Sequence, residues 1–130
     1  MSKIRKNDIR RIQLSYKEQF NYFATKFIKH SDSQPHVKLE YTDRMVEIVE
    51  AIADVTNVTG VKPKKHTLFE KTDVLEMLVC LNNLSNYWMN TFNSHDDSQP
   101  DVKATYSRGM IKISKALGNL SSATGIKIRR

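Results

Sequence analysis

Apolar residues recur along this chain at steps of three and four in four separate stretches. The first holds Ile9, Ile12, Tyr16, Phe20, Phe23 and Phe27, and the second Val37, Tyr41, Met45, Ile48, Ile52 and Val55. The third holds Val74, Met77, Leu81, Trp88 and Phe92, interrupted at Ser85. The fourth holds Val102, Tyr106, Met110, Ile113, Leu117 and Leu120. This spacing lays one apolar stripe along an α-helix.

The ends of these stretches carry helix punctuation. Asp32 and Ser33, and Asp97 and Ser98, are residue types that cap helix N-termini. Pro35 and Pro100 follow in the first turn, where a missing N–H costs little. Thr59-Gly60-Val61 and Thr124-Gly125-Ile126 read as stops, with a left-handed glycine and an apolar residue folding back. Thr67 to Glu70 has capping-box spacing, so a third helix is expected from about residue 68. The pattern predicts helices over 3–30, 34–59, 68–94 and 99–124.

The punctuation also repeats. His30 to Lys38 reads HSDSQPHVK, and 65 residues on (95 − 30) His95 to Lys103 reads HDDSQPDVK. Sliding the chain by that offset gives an ungapped match from end to end. It includes Asn21/Asn86, Tyr22/Tyr87, Phe27/Phe92, Tyr41/Tyr106, Met45/Met110 and Gly60/Gly125. Phe23/Trp88 and Ile52/Leu117 are conservative pairs. We read a tandem duplication of one helical hairpin, 1–65 and 66–130, within a single domain spanning 1–130. The expected fold is all-α: a four-helix bundle of two tandemly duplicated hairpins with pseudo-twofold symmetry. Hairpins exchanged between two chains are the alternative.

Such a topology sorts the charges. The chain carries +7 at neutral pH, with a pI near 9.6. Both DSQP loops fall at one end of the bundle, and the N-terminus, the linker and the C-terminus at the other. Lys3, Arg5, Lys6, Arg10 and Arg11, then Lys62, Lys64 and Lys65, then Lys127, Arg129 and Arg130 should converge on one basic pole. Asp32, Asp96, Asp97 and Asp101 gather at the opposite pole with His30, His36 and His95. A basic pole suits contact with a phosphate backbone. Cations at helix C-termini and chain ends also occur without an anionic partner, but the N-terminal run sits at the unfavourable end of its helix.

Two other patterns matter. On the second helix one outward face reads Glu40, Asp43, Glu47, Glu50, Asp54. The matching face of the fourth reads Thr105, Arg108, Lys112, Lys115, Asn119. These are two solvated faces, or faces that pair between molecules, or the basic one joins the anion-binding surface. The segment Met77 to Ser94 contains no charged residue. Its Asn82, Asn83, Asn86, Tyr87, Met89, Asn90 and Asn93 have the composition of a protein interface.

Catalytic signals are missing. There is no GxSxG, no HExxH and no phosphate-cradling glycine loop. His30-x-Asp32 and His95-x-Asp97 could supply metal ligands, but zinc sites show tighter Cys/His spacing, and the aspartates already serve as caps. No metal or cofactor is expected. The single cysteine, Cys80, makes no internal disulfide and fits a reducing, cytoplasmic setting. The basic N-terminus is followed by no apolar signal region, and no stretch approaches the ~18 apolar residues of a membrane span.

The expectation is therefore a non-enzymatic nucleic-acid-binding protein. It would grip the backbone with its basic pole and little sequence preference, because no base-stacking aromatic accompanies the cations. A protein-binding adaptor or inhibitor using the uncharged face of the third helix, or a homodimer, is the alternative.

Overall fold

The structure, a computed structural model, describes residues 5–128. It holds four helices: α1 (Lys6–Lys29), α2 (Pro35–Thr59), α3 (Lys71–Ser94) and α4 (Pro100–Thr124). No strand occurs among the described residues. Consecutive helices form two antiparallel hairpins, α1 with α2 and α3 with α4. The hairpins join chiefly through α2 against α4, while α1 and α3 touch only sparsely. The result is a four-helix bundle in which matching helices of the two halves are neighbours.

The core follows the apolar stripes. Phe20, Phe27, Met45, Ile52, Met77, Leu81, Trp88, Ile113 and Leu120 are buried in one cluster. Each such side chain withdrawn from water contributes roughly 1.5–3 kcal/mol before entropy is charged against it. Trp88 is its centre: the indole stacks on Tyr106 at 5.5 Å and donates its N–H to Thr42 Oγ1 at 3.0 Å. The α2–α4 approach is close at Gly109, where a β-carbon would come within 3.3 Å of Leu39 Cδ2.

The helix stops behave as the sequence indicates. Gly60 and Gly125 adopt φ of 70° and 73°, and their N–H groups donate to Thr56 O and Ser121 O. Val61 and Ile126 then turn inward and are buried.

The helix starts differ from expectation. Helix α2 begins after Gln34 and α4 after Gln99, neither with a side-chain cap, although Pro35 and Pro100 do occupy the first turn. The Asp32 and Asp97 carboxylates turn instead to Lys38 and Lys103. Helix α3 starts at Lys71, one turn later than expected. Its capping box is formed by Glu70 and Asp73, and Thr67 donates to Lys64 O and Phe69 O. The linker closes through Lys64 N–H to Phe69 O, with buried Phe69 anchoring it, so the chain is not yet helical there.

The stripe on α1 is also rotated from its expected position. Ile9, Phe20 and Phe27 are buried, but Ile12 is 46% exposed. Arg10, Gln13 and Lys17 point inward in its place.

Candidate functional site

The end of the bundle opposite the two DSQP loops is built from three chain segments. Helix α1 starts there, with Arg5, Lys6 and Arg11 exposed. The linker is pinned by buried Val61, Pro63 and Phe69, leaving Lys62, Lys64 and Lys65 exposed between these anchors. At its tip His66 takes a left-handed φ of 64°, and its N–H donates to the Glu70 carboxylate at 3.2 Å. Past the α4 stop, Ile126 is buried and Lys127 exposed. Lys3, Arg129 and Arg130 lie outside the described residues.

Hydrogen bonds tie α1 to the linker. Gln13 Nε2 donates to Val61 O at 2.9 Å and to Thr56 Oγ1 at 3.1 Å, and Arg10 Nη2 donates to Lys62 O at 3.3 Å. The linker folds back along the start of α1 because two of its carbonyls find buried donors there. Two acids near this pole are already engaged. Asp73 accepts the Glu70 N–H at 2.7 Å and pairs with Lys17 at 3.3 Å. Glu70 holds the other half of the capping box. Sequence reasoning missed two features here: Lys71, exposed at the α3 start beside the linker, and the burial of Arg10.

Arg10, Gln13 and Lys17 form a polar seam on the inner side of α1. Their matches 65 residues on are Leu75, Leu78 and Asn82, so the seam belongs to the first half alone. Lys17 bridges to α3 through Asp73 and Glu76. Burial pulls its ammonium pKa down, but the hydrogen bonds and charges of the two carboxylates outweigh this, and the net shift is upward.

At the opposite end, the doubled HxDSQPxVK motif proves to be one local structure made twice. His30 Nε2 pairs with Gln34 Oε1 at 2.7 Å, and His95 Nε2 with Gln99 Oε1 at 2.6 Å. Each ring also meets a tyrosine edge-on, His30 with Tyr41 and His95 with Tyr106. Asp32 binds Lys38 at 2.7 Å and Asp97 binds Lys103 at 2.6 Å. Lys38 Nζ lies over the rings of Phe27 and Tyr87, and Lys103 Nζ over Phe92. Only the first copy gains a link between hairpins, from Tyr87 O–H to Asp32 Oδ1 at 2.7 Å. The Lys38 and Tyr87 hydrogen bonds hold the Asp32 carboxyl below its ordinary range, and Lys103 does the same for Asp97. Burial and the bond to Asp32 push the Tyr87 phenol well up. Among the described residues no group of three or more His, Cys, Asp or Glu side chains is placed to hold a metal ion.

The uncharged residues of α3 fall on two sides. Asn83 and Tyr87 line an open groove of about 710 Å³ between α1 and α3, where those helices stand apart. Asn82 is half-buried, and Asn86, Met89, Asn90 and Asn93 are exposed without lining the groove. The groove walls are mainly apolar, with Phe27, Met45, Leu75 and Leu84 at its sides, and Ile28 (76% exposed) and Val79 (46%) accessible. Cys80 also faces it, and burial pushes that thiol's pKa up, away from thiolate chemistry.

The faces of opposite charge lie on adjacent helices of the same molecule. Lys112 of α4 pairs with Asp43 of α2 at 3.4 Å, and Arg44 with Glu47 at 3.0 Å within α2. The change of sign between the halves thus has a counterpart inside one chain.

No protein-family model, curated protein or solved structure matches this chain, so a functional reading rests on its own residues.

Proposed function

We propose that this chain is a non-enzymatic nucleic-acid-binding protein that contacts the phosphate backbone through its basic pole. The observation that carries this reading is the arrangement of the linker. Three buried anchors hold Lys62, Lys64 and Lys65 outward beside the cationic start of α1. The acids Glu70 and Asp73 are tied up in capping and in the Lys17 bridge. Elsewhere Lys17, Lys38, Lys103 and Lys112 each have a carboxylate partner, whereas Lys26, Lys29, Arg108 and Lys115 stand unpaired among the described residues but spread along the bundle. The pole is where unpaired cations are most densely gathered, and a concentrated cationic surface attracts a polyanion with the gain of counterion release. The full set is Arg5, Lys6, Arg10, Arg11, Lys62, Lys64, Lys65 and Lys127, with Lys71 added and Lys3, Arg129 and Arg130 extending it in sequence.

A comparison of two surfaces tests this. Replacing Lys62, Lys64 and Lys65 by glutamine should weaken binding to a duplex by at least about tenfold at low salt, since each cation removed forfeits one phosphate contact. Replacing Lys112 and Lys115 on α4 should change it little. Equal loss from both variants would show that net charge alone, and not the pole, drives association.

A second reading has its own observation, the apolar groove between α1 and α3. We infer that this face can receive a protein partner or a second copy, as the absence of charge from Met77 to Ser94 of α3 suggests. If a second copy occupies it, sedimentation should show a concentration-dependent dimer that Val79→Glu converts to monomer. A dimer insensitive to Val79→Glu would move that interface elsewhere.

A further inference from the structure

Among the described residues of the basic pole, Arg10 is the one cation that is buried. Its side chain is withdrawn to 9% residual exposure, yet among the described residues no carboxylate lies within ion-pairing distance. Its guanidinium finds one protein acceptor, the Lys62 carbonyl at 3.3 Å, and Nε is buried with no partner. Lys17, two seam positions further along α1, shows the contrast, because two carboxylates meet it. A desolvated guanidinium with a single neutral acceptor is a costly arrangement. The second half of the chain avoids that cost by carrying Leu75 at the matching position.

We propose that Arg10 is the fixed centre of a phosphate seat between the start of α1 and the linker. The guanidinium provides a fork of donors matched to phosphate oxygens, and the flexible Lys62 and Lys64 close over the anion. The seat gives the basic pole one located phosphate contact in addition to diffuse attraction. The inference rests on the nucleic-acid reading only for the source of the phosphate. The chemistry of the seat would serve a backbone phosphodiester or a free phosphate alike.

The test uses the full-length chain and the variant Arg10→Leu, which installs the residue of the second half. Thermal unfolding is followed in inorganic phosphate and in chloride at matched ionic strength, and duplex DNA binding is measured in parallel. The seat predicts that phosphate raises the unfolding temperature of the wild type above that in chloride. Arg10→Leu should unfold no earlier than wild type in chloride, lose the phosphate response, and bind the duplex about tenfold more weakly. Arg10→Lys, which keeps the charge without the fork, should recover only part of the response and guards against a misfolded leucine variant. The proposal is overturned if phosphate stabilises wild type and Arg10→Leu equally, or stabilises neither, or if wild type binds the duplex and Arg10→Leu binds it equally tightly. Phosphate stabilisation of wild type alone, with no duplex binding by any variant, would keep the seat and reject the nucleic-acid reading.

Discussion

A single aspartate shows how much this fold asks of its loop residues. Asp32 sits in a loop that the sequence marks as a helix start, and its residue type suits a cap. In the structure it does something else: it accepts from Lys38 Nζ and from the Tyr87 hydroxyl, and so fastens the loop of one hairpin to a helix of the other. Those bonds lower its pKa, and the Lys103 bond lowers that of Asp97. A carboxyl whose folded pKa lies below its unfolded value contributes stability above the unfolded value, and loses it as pH falls through the folded one. The unfolded reference for both is 3.8. Denaturation midpoints should therefore be steady above that pH and decline below it. Asp32→Asn should start lower and show a shallower decline, and an unchanged acid limb in that variant would remove Asp32 from the account. Local sequence could not disclose this role, because Tyr87 lies 55 residues away.

At the scale of elements, stops were more legible than starts. A helix stop is chemically narrow: the left-handed backbone at Gly60 and Gly125 favours glycine, and an apolar residue must follow. Starts allow more solutions. Gln34 and Gln99 begin α2 and α4 with no side-chain cap, and the α3 capping box uses a glutamate and an aspartate in place of threonine and glutamate. The two glycines of the last turns of α4 give a matched test. Gly125→Ala should lower stability by about 1 kcal/mol, because alanine is strained at positive φ. Gly118→Ala should raise it by about 0.5–1 kcal/mol, because that glycine is inside the helix and a β-carbon there meets nothing within 4 Å. Urea denaturation of the two variants reads both signs directly. The inner face of α1 was the least legible element. Ile12 fits the stripe by spacing, yet the helix is rotated so that Arg10 and Gln13 meet the linker carbonyls. That demand arises only once the linker folds back along α1, and a periodicity of apolar residues carries no trace of it.

At the scale of the whole molecule, the doubled motif and the unmatched charge belong together. The 65-residue offset implied two loops at one end and three basic segments at the other, and the helices run as that requires. What the sequence could not say is which cations are satisfied at home. Lys38, Lys103 and Lys112 pair within the molecule, whereas the linker lysines stand outward in no ion pair among the described residues, and Glu70 and Asp73 at the α3 start are committed to the capping box. The α1–α3 groove was half legible. Asn83 and Tyr87 of the uncharged stretch line it, but its opposite wall comes from Ala24, Phe27 and Ile28 of α1, more than 50 residues away in sequence. No helix of the described residues is long and apolar enough to cross a membrane.

The most direct test of the central claim is the salt dependence of duplex binding, measured by anisotropy with wild type and with Lys62, Lys64 and Lys65 replaced by glutamine. For wild type the logarithm of the association constant should fall linearly with the logarithm of salt concentration, by about 0.9 for each phosphate neutralised. The triple variant should bind more weakly and give a line shallower by the contacts it has lost. No binding at low salt, or the same slope from both proteins, would contradict the claim that this chain holds nucleic acid by its basic pole.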